Sequence, residues 1–220
     1  MKDIPSQRGA RYIRSLVAQG EHQNQDFKFQ ISDARKIARS ISAFANNSGG
    51  RLLVGVKDNG VIAGVRNEED VYVIEQAASR YCRPEADVNF EAYGVSAGVT
   101  VIVATVATSM TRPVRAQDTD GRWKSYYRVD DENIVAHPLM EEVWRLRQDP
   151  DRPLVLNLSI LERRILELFD SRPDDMDVDD VALALHSSMA ATRRSLIALA
   201  TAGVLDFRFD GTRFLLHRPE

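Results

Sequence analysis

The chain has a single cysteine among its 220 residues, which excludes an internal disulfide and a multi-thiolate metal centre. That residue, Cys82, falls in an apolar helical pattern and is expected in the core. No window approaches the roughly 18 apolar residues of a membrane span. The first residues lack the apolar stretch of a secretory signal, so the expected address is the cytoplasm, with no membrane partner. Basic charge is not in surplus either. The formal net charge is −3, and neither residues 1–150 nor residues 154–220 are basic as a group. Binding of nucleic acid through bulk charge is thereby excluded; any such contact must come from a local patch and be salt-sensitive. No Gly-x-x-x-x-Gly-Lys-Ser/Thr phosphate loop occurs, so ATP is not an expected ligand. His137, His186 and His217 have no partners at metal-ligand spacing and read as structural. Internal repeats and low-complexity segments are absent.

What is present reads as an α+β protein in two parts. Arg8 to Ala18 carries Ile13, Leu16 and Val17 on one helical face, with Gly20 beyond it. Asp26 to Phe29 alternates polar and apolar, as a short strand does. Ser32 or Asp33 caps a helix running to about Asn47, with Ile37, Ala38, Ile41, Phe44 and Ala45 in helical register. Gly49 and Gly50 stop it. Leu52 to Val56 is a buried strand, Lys57-Asp58-Asn59-Gly60 a tight turn, and Val61 to Val65 the returning strand. A helix follows from about Glu68 to Tyr81, then strands at Val88–Tyr93, Val99–Val106 and Trp123–Val129, and a helix at Leu139–Arg147. The first domain is set at residues 1–148 and the linker at 149–157, where two prolines break a polar run. Residues 158–220 then read as three amphipathic helices and a hairpin, the element order of a winged helix.

Four polar features could carry chemistry. The first is Glu21 with Asp26 and Lys28, where Asp26 and Lys28 share one strand face and otherwise form a surface ion pair. The second is Asn46-Asn47-Ser48 before Gly49-Gly50 and Arg51. These residues either satisfy a helix end or form the mouth of a site in which the glycine bend offers backbone N–H groups to a phosphate. Gly55 in the next strand admits close approach. The third is Arg112, Arg115, Arg122, Lys124 and Arg128 interleaved with Trp123, Tyr126 and Tyr127, a mixture suited to phosphate contact and base stacking. Asp118, Asp120, Asp130 and Asp131 would instead neutralise it on a mixed surface. The fourth is Arg193 and Arg194 on the third helix of the second part, with Arg208 and Arg213 on its hairpin, placed for DNA contact. The acidic run Asp174 to Asp180 opposes that reading, and self-pairing into a homo-oligomer or docking of another protein is its alternative.

Taken in order, Glu21, Asp26-Phe27-Lys28, Ala43-Phe44-Ala45-Asn46, Gly49-Gly50, Val54-Gly55-Val56, Asp58-Asn59-Gly60, Arg112-Pro113 and Tyr126-Tyr127-Arg128-Val129 resemble the Schlafen AlbA-type domain, earlier labelled divergent AAA. The resemblance covers roughly residues 10–147 and implies a mixed sheet with helices and a role in handling nucleic acid. It also implies, from ribonuclease members, that Glu21, Asp26 and Asp58 hold Mg²⁺ or Mn²⁺ through hard oxygens for phosphodiester cleavage, with Lys28 steadying the phosphate. Asp26 departs from the family pattern, which has a glutamate there. The leading reading is a nucleic-acid-associated regulator, in which Lys28, Asn46, Gly49, Gly50, Arg51, Arg112, Lys124, Arg128, Arg193, Arg194, Arg208 and Arg213 contact the acidic ligand. A metal-dependent ribonuclease and a protein-interaction scaffold are the alternatives.

Overall fold

The alternation of Leu52, Leu53 and Val54 sends neighbouring side chains to opposite faces of one strand, and both faces are buried. This is the signature of a sheet covered on two sides. In the structure, a computed structural model that describes residues 6–66, 69–149, 158–172 and 174–219, the elements run β1 (Ser6–Arg8), α1 (Ala10–Val17), β2 (Gln25–Lys28), α2 (Ala34–Asn46), β3 (Gly50–Val54), α3 (Glu69–Arg80), β4 (Cys82–Arg83), β5 (Val88–Ser96), β6 (Val99–Val106), β7 (Arg115–Gln117), β8 (Trp123–Val129) and β9 (Glu132–Val135). A five-stranded mixed sheet has the order β1-β5-β6-β3-β2, and a four-stranded one the order β4-β7-β8-β9. Leu53, Val101 and Val103 pack with Ile13 and Leu16 of α1 on one face. Leu52, Val54, Ile102 and Ala104 pack with α2 and α3 on the other.

Helix α2 is the axis of this unit. Asp33 caps it, accepting from the backbone N–H groups of Arg35 and Lys36, which satisfies two otherwise orphaned donors. Its apolar stripe meets the five-stranded sheet, while its other side packs on β4, β7, β8 and β9. A helix enclosed on both sides must bury polar residues as well. Ser40, Ser42 and Asn46 are all buried.

The chain forms two compact units divided at Ala136/His137, earlier than the boundary expected at the prolines. Residues 150–157 of the expected linker lie outside the described residues. In the second unit, α4 (Pro138–Arg147) precedes α5 (Ile160–Ser171), α6 (Val178–Leu185), α7 (Met189–Thr201) and the hairpin β10 (Asp206–Phe209) and β11 (Phe214–His217). Leu139 and Val143 of α4 share its core with Ile165, Val181, Leu196 and Leu216, so burial rather than sequence composition assigns α4. Ser159 with Glu162 and Asp177 with Asp180 form reciprocal capping boxes. Met176 and Leu216 exchange backbone hydrogen bonds of 3.1 and 2.8 Å, which ties the approach to α6 onto the hairpin. Among the described residues no helix is long and apolar enough to cross a membrane.

Several sequence expectations need correction. Ser6–Arg8 pairs in parallel with Ala92–Gly94 as an edge strand, where a helix was expected from Arg8. The short strands β7 and β9 have no alternating signal of their own. Val61 to Val65 does not return as a strand. It makes one bridge, Val56–Ile62, because Ala63 and Gly64 both turn their N–H groups onto the Gly55 carbonyl. Cys82 lies in β4 rather than in a helix. It is buried, and that burial raises its thiol to about 12, so it is no nucleophile at neutral pH.

Candidate functional site

Strand β2 pairs in parallel with β3, Asp26 facing Leu52 and Lys28 facing Val54. The acidic-and-lysine segment and the twin-glycine bend are therefore neighbours. Asn24 Nδ2 joins them directly, donating to Ser48 Oγ at 2.8 Å and to the Gly49 carbonyl at 2.7 Å. Gln25 is fully buried, and its amide donates to the carbonyls of Leu16 and Gly20. Gln25 also accepts from Arg51 Nε at 2.8 Å, and Gln19 takes an N–H of the same guanidinium at 3.1 Å. Arg51 thus serves the end of α1.

Around Asp26 the charges are compensated internally. Asp26 is 5% exposed. Lys28 Nζ lies 2.8 Å from its Oδ2 and an Arg128 nitrogen 3.5 Å from its Oδ1. Arg128 is 1% exposed; it donates to Asn133 Oδ1 and the Gln25 carbonyl and stands 5.1 Å over the Phe44 ring. Glu21 accepts the Phe27 N–H at 2.8 Å. Burial, then a hydrogen bond with Asp26, raise the Glu21 carboxyl above its ordinary value. Burial works to raise Asp26 too, but the hydrogen bond with Glu21 and the charges of Lys28 and Arg128 outweigh it and hold Asp26 low. Of the two carboxyls, Glu21 is the one that protonates more readily.

The polar stretch at the end of α2 is a clasp. Asn46 is 1% exposed. Its Nδ2 donates to the carbonyls of Val114 and Tyr126 at 2.9 and 3.0 Å, and its Oδ1 accepts the Val114 N–H at 2.8 Å. Asn47 pairs its amide with both backbone groups of Arg128. The expected ligand roles of Asn46 and Arg128 are corrected accordingly, since neither can reach a ligand without opening the core. Gly49, at φ +77°, would place a Cβ 2.9 Å from the Val106 carbonyl, and a Cβ on Gly50 would lie 2.2 Å from the Phe44 ring. Both glycines are required by packing. The Gly49 N–H bonds to the Phe44 carbonyl, so the bend does not hold it out for a phosphate as expected.

The carboxylate trio does not assemble. Asp58 is exposed on its turn, and among the described residues no group of three or more His, Cys, Asp or Glu side chains is arranged to hold a metal ion. A hard divalent cation needs several oxygens, yet the Asp26 oxygens already face Lys28, Arg128 and, at 3.4 Å, Ser40 Oγ. The residues present do not fit Mg²⁺ or Mn²⁺, and no cleavage step follows from them.

The basic–aromatic strand is likewise drawn inward. Asp118, 8% exposed, binds Arg39, lies 2.8 Å from Lys124 Nζ and accepts from Tyr126 at 3.3 Å. Lys124 first, then the Thr119 N–H and Arg39, hold the Asp118 carboxyl far below the usual carboxylate range. Arg112 is half-buried and donates to the Asn46 carbonyl at 3.3 Å. In the second unit, Arg208 lies 3.0 Å from Asp175, and Arg213 binds Asp177 with Asp180 3.8 Å away. The acidic run thus has its partners in the hairpin. Arg193 and Arg194 differ: both are exposed on α7 and form no ion pair among the described residues. Asn24, Gln25 and Asn133 help to organise the first unit, and each has at least one partner remote in sequence, in Ser48 and Gly49, Arg51 and Ser40 respectively, which no local pattern announces.

Comparison with known proteins places these features in a lineage. The family model described as Schlafen, AlbA_2 matches residues 21–137, nearly the whole first unit. Among curated proteins none matches the chain. The crystal structure of the DIP2311 protein from Corynebacterium diphtheriae is similar at 21% identity, over 74% of this chain and 33% of that one, with a TM-score of 0.44. The chain therefore spans about a third of that protein's length. The solution structure of the N-terminal domain of an ATP-dependent DNA helicase RecG-related protein from Nitrosomonas europaea is 20% identical, over 60% of this chain and 96% of that one, with a TM-score of 0.38.

Proposed function

The chain belongs to the Schlafen AlbA_2 family, and from that premise we propose that it is a nucleic-acid-associated regulator whose second unit is a winged helix that meets duplex DNA through α7. The observation that carries this reading is the exposed pair Arg193–Arg194. Ser188 caps α7 by accepting the Ala191 N–H. Leu196, Leu199 and Ala200 bury one side of the helix, while Met189, Ala190, Arg193 and Arg194 stand exposed on its first half. A small residue one turn before two arginines is a surface that enters a major groove, with guanidinium groups for phosphates and a base edge.

The hairpin arginines answer the objection raised by the acidic run. With Arg208 and Arg213 bridged to Asp175, Asp177 and Asp180, the run is screened at the surface of its own unit. It also supplies the negative charge that a helix N-terminus favours.

A gel-shift titration of the full chain against mixed-sequence duplex at low salt tests the reading. The double variant Arg193→Glu/Arg194→Glu is expected to bind about tenfold or more weakly, the order expected for loss of a base or phosphate contact. Unaltered duplex binding by that variant would remove α7 from the interface.

A further inference from the structure

One cleft lies away from every feature considered so far. It is an open cleft of about 950 Å³ between the start of α1 and the end of β5, lined by Arg8, Arg11, Tyr12, Ser15 and residues 94–97. That volume is near the top of the roughly 300–1,000 Å³ range of small-molecule sites. Resting on the nucleic-acid reading above and locating a second contact for it, we propose that this cleft holds an unpaired stretch of nucleic-acid strand, with phosphates on Arg8 and Arg11, a base on Tyr12, and Arg14 continuing the basic track along α1 beyond the cleft.

Charge is the first argument. Arg8, Arg11 and Arg14 recur at three-residue spacing, so Arg11 and Arg14 share one helix face. All three are exposed, and none forms an ion pair among the described residues. This sets them apart from Lys124, Arg208 and Arg213, each bridged to an aspartate. Burial first, then the neighbouring charge of Glu91, raise the Tyr93 phenol above its ordinary value.

The second argument is a built aromatic platform. Tyr12 is 42% exposed and rests on Tyr93, ring centres 5.1 Å apart and planes inclined by 56°. Tyr93 is fixed from behind by Gly9, where a Cβ would lie 2.3 Å from its ring. The β5–β6 register shifts between Gly94 and Ser96, and such irregularities re-aim a strand beside a site. An exposed ring beside unpaired guanidinium groups suits base stacking along a phosphate track. A duplex hides its base faces in its own stack, so the ligand class is a single strand.

The test is fluorescence anisotropy of the full chain at low salt. The probes are single-stranded oligouridylate, single-stranded oligothymidylate, mixed-sequence duplex and a nucleoside monophosphate. Arg11→Glu and Tyr12→Ala are each expected to weaken single-strand binding about tenfold, while Tyr12→Phe retains it. The same substitutions should leave duplex binding in place, and Arg193→Glu/Arg194→Glu should leave single-strand binding in place. Both side chains are exposed, so unchanged circular dichroism is expected to show the fold intact. Single-strand binding unmoved by Arg11→Glu and Tyr12→Ala, with duplex binding present, overturns the cleft and leaves the α7 reading standing. Loss with Arg11→Glu but not with Tyr12→Ala marks a polyanion held by charge alone and overturns the base platform. A monophosphate that binds as tightly as the strands overturns the strand assignment. No binding of any nucleic acid by the unaltered chain removes the wider reading and the cleft together.

Discussion

Asn46 shows what a single side chain can do at the junction of two sheets. Its amide closes hydrogen bonds with backbone groups 68 and 80 residues away, where no water can replace it. Asn46→Ala is expected to cost about 3 kcal/mol, since buried backbone groups would be left unsatisfied at about 1–3 kcal/mol apiece, partly relieved by relaxation. A lower urea midpoint at unchanged slope would register this. Asp26→Ala is expected to cost a similar amount, about 3 kcal/mol, by stranding the buried Arg128 charge. Asp58→Ala, on an exposed turn, should move stability by no more than about 0.5 kcal/mol; a large loss there would mean Asp58 has a partner after all. The sequence marks all three residues as polar outliers beside apolar runs. It does not say whether such a residue points at a ligand or at a distant carbonyl, because the clasp partners lie beyond any local window.

At the scale of elements, most helices were legible, while three of the short strands were not. Asp33, Ser159 with Glu162, Asp177 with Asp180, and Ser188 all cap within three residues, so each helix start is written locally. β1, β7 and β9 span three or four residues each, and their pairing is decided by chain that arrives later. The join of α2 to β8 through Asp118 also predicts a pH response. The Asp118 carboxyl is held below its ordinary value of 3.8 by Lys124, Thr119 and Arg39, so the unfolded chain binds the extra proton in that window and stability rises with pH there. The contribution is present above about pH 5 and drains away as pH falls below about 4 toward the folded value. Asp118→Asn should flatten this acid limb of the urea midpoint against pH, and an unchanged limb would show that Asp118 is not its source.

Across the whole molecule, acidity overall coexists with two local sets of exposed arginines that form no ion pair among the described residues, Arg8, Arg11 and Arg14 in one unit and Arg193 and Arg194 in the other. The family was legible because its motifs are ordered turns, strand ends and helix ends, which must recur wherever this packing recurs. The functional residues were less so. The sequence reading put its weight on Arg128 and Asn46, which folding buries, and on Lys124, which Asp118 holds; it gave no role to α1, whose arginines were visible but unremarkable until their lack of ion pairs among the described residues was known. The account's central claim is that α7 meets duplex DNA through its exposed arginines, and the dependence of duplex affinity on salt tests it most directly. Affinity of the full chain should fall linearly on logarithmic axes as salt rises, and Arg193→Glu/Arg194→Glu should reduce that slope by about 2, one for each phosphate contact removed. An identical slope in the variant, or no duplex binding by the unaltered chain at low salt, would contradict it.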